Sequence, residues 1–142
     1  MHISSFALRR SALLYLAAIL VMGLAACSPS EPEGSEGGNA GGGTVAVVDG
    51  DVAVSADDLV FDASVIEAPA GAEFTITLTN NESQPHNVAI YTEEGGDEIV
   101  VGEVITGPDA TTQTVVPALE PGTYYFQCDI HPDMNGTVVV EG

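Results

Sequence analysis

"EFTITLTN", residues 73–80, alternates Phe74, Ile76 and Leu78 with Thr75, Thr77 and Thr79. A period of two places the apolar side chains on one face of an extended segment and the threonines on the other, the mark of a half-buried β-strand. Further strands are expected at "TVAVV" (44–48), "LVFDASVI" (59–66), "HNVAIY" (86–91), "TTQTVV" (111–116), "GTYYFQC" (122–128) and "GTVVV" (136–140). Turn-forming residues separate them: Pro69-Ala70-Gly71, Asn80-Asn81, Gly95-Gly96, Gly107-Pro108, Pro121-Gly122 and Asn135-Gly136. No helical periodicity persists, although the composition of 92–105 leaves room for an edge helix. About seven short strands at this spacing predict an all-β sandwich of two packed sheets.

The chain has 142 residues, of which the first 27 read as a targeting segment. Arg9 and Arg10 precede "SALLYLAAILVMGLAA", an apolar run of 16 residues. A spanning helix needs about 20 residues, so the run fits the apolar region of a secretory signal. It ends in Leu24–Cys27, "LAAC", which resembles the lipobox of bacterial lipoproteins. Residues 1–26 are thus expected to be removed and Cys27 to be acylated; an uncleaved anchor is the other reading. Residues 28–43, "SPSEPEGSEGGNAGGG", cannot bury a core and read with Cys27 as a tether with a reach of roughly 20–25 Å. The folded domain is expected over 44–142, outside the cytoplasm and attached to a membrane by its lipid.

Both basic residues lie in the signal, whereas all 21 carboxylates lie beyond it, 18 of them in 44–142. Nucleic acid and bare anionic lipid would be repelled. The acidity suits either steering toward a basic protein partner or a salt-adapted proteome. With Cys27 lipidated, Cys128 has no cysteine to pair with, so an intramolecular disulfide is excluded.

The chemistry concentrates in "CDIHPDM", residues 128–134. Beyond the signal the chain holds two histidines, His86 and His131, one methionine, Met134, and, apart from Cys27, one cysteine, Cys128. His86 opens one expected strand, Cys128 closes another, and His131 and Met134 occupy the following loop. Strand ends at one pole of a sandwich lie close together, so a single cluster is geometrically accessible. Two imidazoles and a thiolate with a weak thioether suit one copper ion, because the soft sulfurs favour Cu(I) while imidazole accepts both oxidation states. Taken singly, each residue is as easily a strand-end histidine, a buried thiol or a core methionine; their coincidence in order favours the metal site. "EEGGDE" (93–98) lacks the spacing of a calcium loop and reads as solvated.

"QPHNVAIY" and "PGTYYFQCDIHPDMNGTVVV", with "FDASVIEAPAGAEFTITLTNN" before them, resemble the cupredoxins over most of 57–142. The resemblance implies a cupredoxin-like Greek-key β-sandwich of about seven to eight strands. It implies His86, Cys128 and His131 as strong copper ligands and Met134 as the axial one. Asn87 would tie the two ligand segments together, and Tyr124 would form a tyrosine corner. Asp129 and Asp133 flank His131, where members of this type often present an apolar patch.

Three functional classes are open to such a site. A copper enzyme with further histidine-built centres is excluded, since 28–142 has no third histidine. A copper chaperone or store remains as the alternative. The favoured expectation is a non-enzymatic, monomeric blue copper carrier passing single electrons between a redox donor and acceptor.

Overall fold

The computed structural model describes residues 40–142. The expected signal peptide (1–26), the acylation site Cys27 and the tether as far as residue 39 lie outside the described residues. Nine strands form among the described residues: β1 (Ala40–Ala46), β2 (Asp51–Asp57), β3 (Val60–Pro69), β4 (Phe74–Asn80), β5 (Ala89–Tyr91), β6 (Glu98–Val101), β7 (Ala110–Val116), β8 (Gly122–Gln127) and β9 (Asn135–Glu141). The all-β cupredoxin-like sandwich expected from the sequence is present, with nine strands where seven to eight were anticipated.

Hydrogen-bonded neighbours run β6-β5-β8-β9-β3-β2-β4-β7, and β1 joins β3. β3 belongs to both halves. Its start pairs antiparallel with β2 through Phe61 and Val60, and its end pairs parallel with β9 from Val65 to Pro69. The halves enclose one core. In β4 the alternation holds as read: Phe74, Ile76 and Leu78 are buried and the intervening threonines are half-buried. They share one buried cluster with Phe61, Ile66, Ile90, Phe126 and Val138, in which the Phe61 and Phe126 rings are 5.6 Å apart at 49°. Each such side chain contributes about 1.5–3 kcal/mol by leaving water. Tyr124 makes the tyrosine corner, its hydroxyl donating to the Glu120 carbonyl at 3.0 Å.

Three segments depart from the expected strands. β2 was not anticipated, although Val52, Val54 and Ala56 alternate toward the core. Its flanking turns are two-residue hairpins with positive φ at both positions, Asp49-Gly50 (54° and 86°) and Asp58-Leu59 (52° and 59°); such turns match the right-handed twist of paired strands. Residues 92–105 form no helix; they contain β6, which gains its partner only from β5. Finally, strand pairing begins at Ala40, inside the glycine run. A Cβ at Gly41 would stand 2.6 Å from the Phe61 carbonyl oxygen, and one at Gly43 2.8 Å from that of Asp62. The missing side chains let β1 lie directly against β3.

The topology aims two chain segments at one pole. β5 and β8 are antiparallel, with Ala89 opposite Gln127. The residues entering β5 and those leaving β8 therefore meet at the same end of the sandwich.

Candidate metal centre

Gln127 and Asn135 form the last pair of the β8–β9 ladder, so residues 128–134 are the hairpin loop itself. The Cys128 N–H donates to the Met134 carbonyl at 2.9 Å, and the Met134 N–H donates to the His131 carbonyl at 2.9 Å. Asn135 Nδ2 donates to the Pro132 carbonyl at 2.8 Å. Pro132, with φ fixed and no N–H to place, suits this tight closure. Three of the four expected ligands thus stand on one short, internally bonded loop, and Cys128 lies just beyond the strand expected to contain it.

His86 also lies outside its expected strand, which starts only at Ala89. Its backbone forms an isolated bridge to Ile105, donating and accepting at 2.9 Å. The ring is fully buried, and its Nε2 donates to Glu82 Oε1 at 2.9 Å. The same oxygen accepts the Leu59 N–H at 2.8 Å. With the proton on Nε2, the Nδ1 lone pair is free and faces Cys128 Sγ at 3.7 Å. His131 Nδ1 approaches that sulfur at 3.9 Å, and the imidazoles are 4.9 Å apart between centroids.

The donor atoms of His86, Cys128 and His131 all lie within 4.8 Å of one another. With metal–nitrogen bonds of about 2.0–2.1 Å and metal–sulfur bonds of about 2.3 Å, a nitrogen and a sulfur on one ion stand about 3.6–3.8 Å apart. The sulfur–nitrogen separation to His86, 3.7 Å, falls in that range and the one to His131, 3.9 Å, lies about 0.1 Å beyond it, so the three residues fit a single ion. Met134 is fully buried in the same loop, as is Cys128, whereas His131 is half-exposed. The structure therefore brings three of the expected ligands together and places the fourth in their loop. The set is closed on its core side and reaches solvent at His131.

Asn87 joins the two segments. Its Oδ1 accepts the Asp129 N–H at 2.9 Å, and its Nδ2 donates to Asp129 Oδ2 at 3.0 Å. Asp129 was read as a flank of His131 at the docking surface, yet its carboxylate also turns toward Tyr91 and Gln127, from which Oδ1 accepts at 2.7 and 3.2 Å. Desolvation raises the Asp129 pKa, but the bonds from Asn87, Tyr91 and Gln127 outweigh it and hold the carboxyl below its usual range. The bond to Asp129, then burial, push the Tyr91 phenol up. Sequence reading missed the part played by Glu82. It stands four residues before His86, a spacing with structural meaning on a helix but none in a loop.

The cupredoxin-like domain family matches residues 16–140 of this chain. Amicyanin of Paracoccus denitrificans is 32% identical over 95 residues, covering 67% of this chain and 69% of that protein. Amicyanin-alpha of Methylorubrum extorquens is 33% identical over 92 residues, covering 65% and 73%. Among solved structures, auracyanin A of Chloroflexus aurantiacus, described as a "blue" copper protein, matches in fold with a TM-score of 0.56 at 22% identity, over 70% of this chain and 100% of its own.

Proposed function

This chain belongs to the cupredoxin family, and from that membership we propose that it is a membrane-tethered blue copper protein that carries single electrons between redox partners. The observation that supports this most directly is the convergence of His86, Cys128 and His131 on one point, beside the buried Met134. These four residues would hold one copper ion, which supplies one-electron exchange between Cu(I) and Cu(II). Cys128 would provide a thiolate, the two histidines Nδ1 lone pairs and Met134 a weak thioether, while Asn87 ties the two ligand segments together. A loop braced on both sides resists rearrangement between oxidation states, which favours rapid exchange.

Half-exposed His131 is the exit toward a partner. A copper chaperone or store needs ligands that open to give metal away, whereas Cys128, His86 and Met134 are closed off by the core; a carrier is the better reading. The domain's 18 carboxylates, with no lysine or arginine, favour basic docking surfaces on donor and acceptor and repel a second copy, consistent with a monomer. Exchange with such a partner slows as salt rises, since the Debye length falls from about 10 Å at 0.1 M to 3 Å at 1 M. Residues 1–26 serve as the export signal, acylated Cys27 as the anchor outside the cytoplasm, and the stretch before β1 as the tether. Cys27→Ser should release the protein from the membrane fraction.

The primary test is addition of Cu(II) to the metal-free protein, followed by optical and paramagnetic-resonance spectroscopy. One copper per chain and an intense visible thiolate-to-copper band are expected. Cys128→Ser should abolish the band, because a hydroxyl is neither soft nor ionised at neutral pH. A band surviving in that variant, or ready loss of copper from the unaltered protein to a mild chelator, would count against the carrier.

A further inference from the structure

Asp129 follows Cys128 directly, and Asn87 follows His86 directly, so the reciprocal bonds between them join the two ligand segments one residue from each ligand. The chemistry of this contact is unusually restrictive. Asn87 cannot turn its amide over, because Oδ1 receives the Asp129 N–H while Nδ2 donates both to Asp129 and to the Gly102 carbonyl at 3.3 Å. Asp129 Oδ2 therefore faces a donor. Oδ1 faces two more, the Tyr91 hydroxyl on β5 and Gln127 Nε2 on β8. Three donors from three places converge on one side chain, and only an acceptor-only group satisfies both oxygens. An amide of the same shape would turn an N–H against one of them. Charge-assisted bonds of this kind are also stronger than neutral ones.

We propose that Asp129 is a positioning residue: its ionised carboxylate locks loop 128–134 onto the His86 segment before metal arrives, and holds a fixed negative charge beside the centre that lowers its reduction potential. The proposal rests on the reading of His86, Cys128, His131 and Met134 as copper ligands. A nearby negative charge stabilises the more positive oxidised ion, which sets the sign of the potential shift. Tyr91 and Gln127 extend the lock into two neighbouring strands, so the rigidity of the sheet is passed to the loop.

Amide hydrogen exchange at Cys128 and Met134 in the metal-free protein, together with voltammetry of the copper-loaded protein, tests both halves. Asp129→Asn and Asp129→Ala are each expected to speed exchange at these amides about tenfold, equivalent to about 1.4 kcal/mol, the low end for a bond to a charged group. The asparagine variant is expected to be at least as damaging as alanine, because it sets donor against donor. Both should raise the potential. Tyr91→Phe, which removes one donor to Asp129 and leaves the Asn87–Asp129 bonds in place, should speed exchange at the same amides by a smaller factor. Exchange and potential at the unaltered level in Asp129→Asn would overturn the proposal by showing that shape alone suffices. Unchanged exchange in Tyr91→Phe would overturn the extension into β5. Absence of a copper–thiolate band in the unaltered protein would defeat the copper reading instead, and the metal-free exchange measurements would still decide whether Asp129 is the lock.

Discussion

Glu82→Ala removes the acceptor for two donors at once, the Leu59 N–H at 2.8 Å and His86 Nε2 at 2.9 Å. His86 is 0% exposed, and an orphaned buried donor costs about 1–3 kcal/mol. The ring then loses both its orientation and the proton placement that leaves Nδ1 free. Loss of such a partner typically lowers metal affinity about 10–100-fold, or about 1.4–2.8 kcal/mol. Glu82→Gln keeps an acceptor oxygen but no charge. Since charge-assisted bonds are roughly twice as strong as neutral ones, its loss should be about half as large in free energy. The assay is competition for Cu(II) between the metal-free protein and a graded series of chelators at fixed pH, with thermal melts of the metal-free variants alongside. The expected order of affinity is unaltered, then glutamine, then alanine. Affinity of the alanine variant within about twofold of the unaltered protein would refute orientation of His86 by Glu82, given the range expected for such partners.

Met134→Leu should retain copper and raise the potential, because losing the weak axial donor destabilises Cu(II) more than Cu(I); voltammetry showing no rise would remove Met134 from the axial position. Gly136→Ala would place a Cβ 2.5 Å from the Ser64 carbonyl oxygen and 2.6 Å from the Phe126 ring. Both neighbours are fixed, so overpacking of about 1–3 kcal/mol should lower the melting temperature by about 4–8 °C per kcal/mol. Alkaline titration by phenolate absorbance should find Tyr91 ionising above the ordinary tyrosine value, since its bond to Asp129 favours the neutral form. The stability linked to that shift is complete below the unfolded pKa and disappears as pH rises through the folded one. Asp129→Asn should bring the titration down toward the usual range, and an unmoved curve would contradict the contact.

The strand at 74–80 and the loop at 128–134 were legible because their information is local. Alternation tells which side of β4 meets the core whatever lies across from it, and the order Cys128, His131, Met134 names a donor set before any fold is known. His86 could be added because 28–131 offers no other histidine besides His131. β2 was legible in principle: Asp49-Gly50 is a strong hairpin signal, and Val52, Val54 and Ala56 alternate after it. β6 was not, since a short segment of modest apolarity becomes a strand only when β5 supplies its hydrogen bonds. The same limit hid the surroundings of the ligands. Glu82 is one of 18 carboxylates in 44–142, and it is distinguished by a turn at Leu59 that lies 23 residues earlier. Asp129 could be seen beside Cys128, but the direction of its carboxylate depends on Asn87, 42 residues away, and on Tyr91. Periodicity and residue chemistry are properties of a short stretch, readable in one dimension. Which carboxylate meets which donor depends on how distant strands cross, and that exists only once the chain has closed around its core.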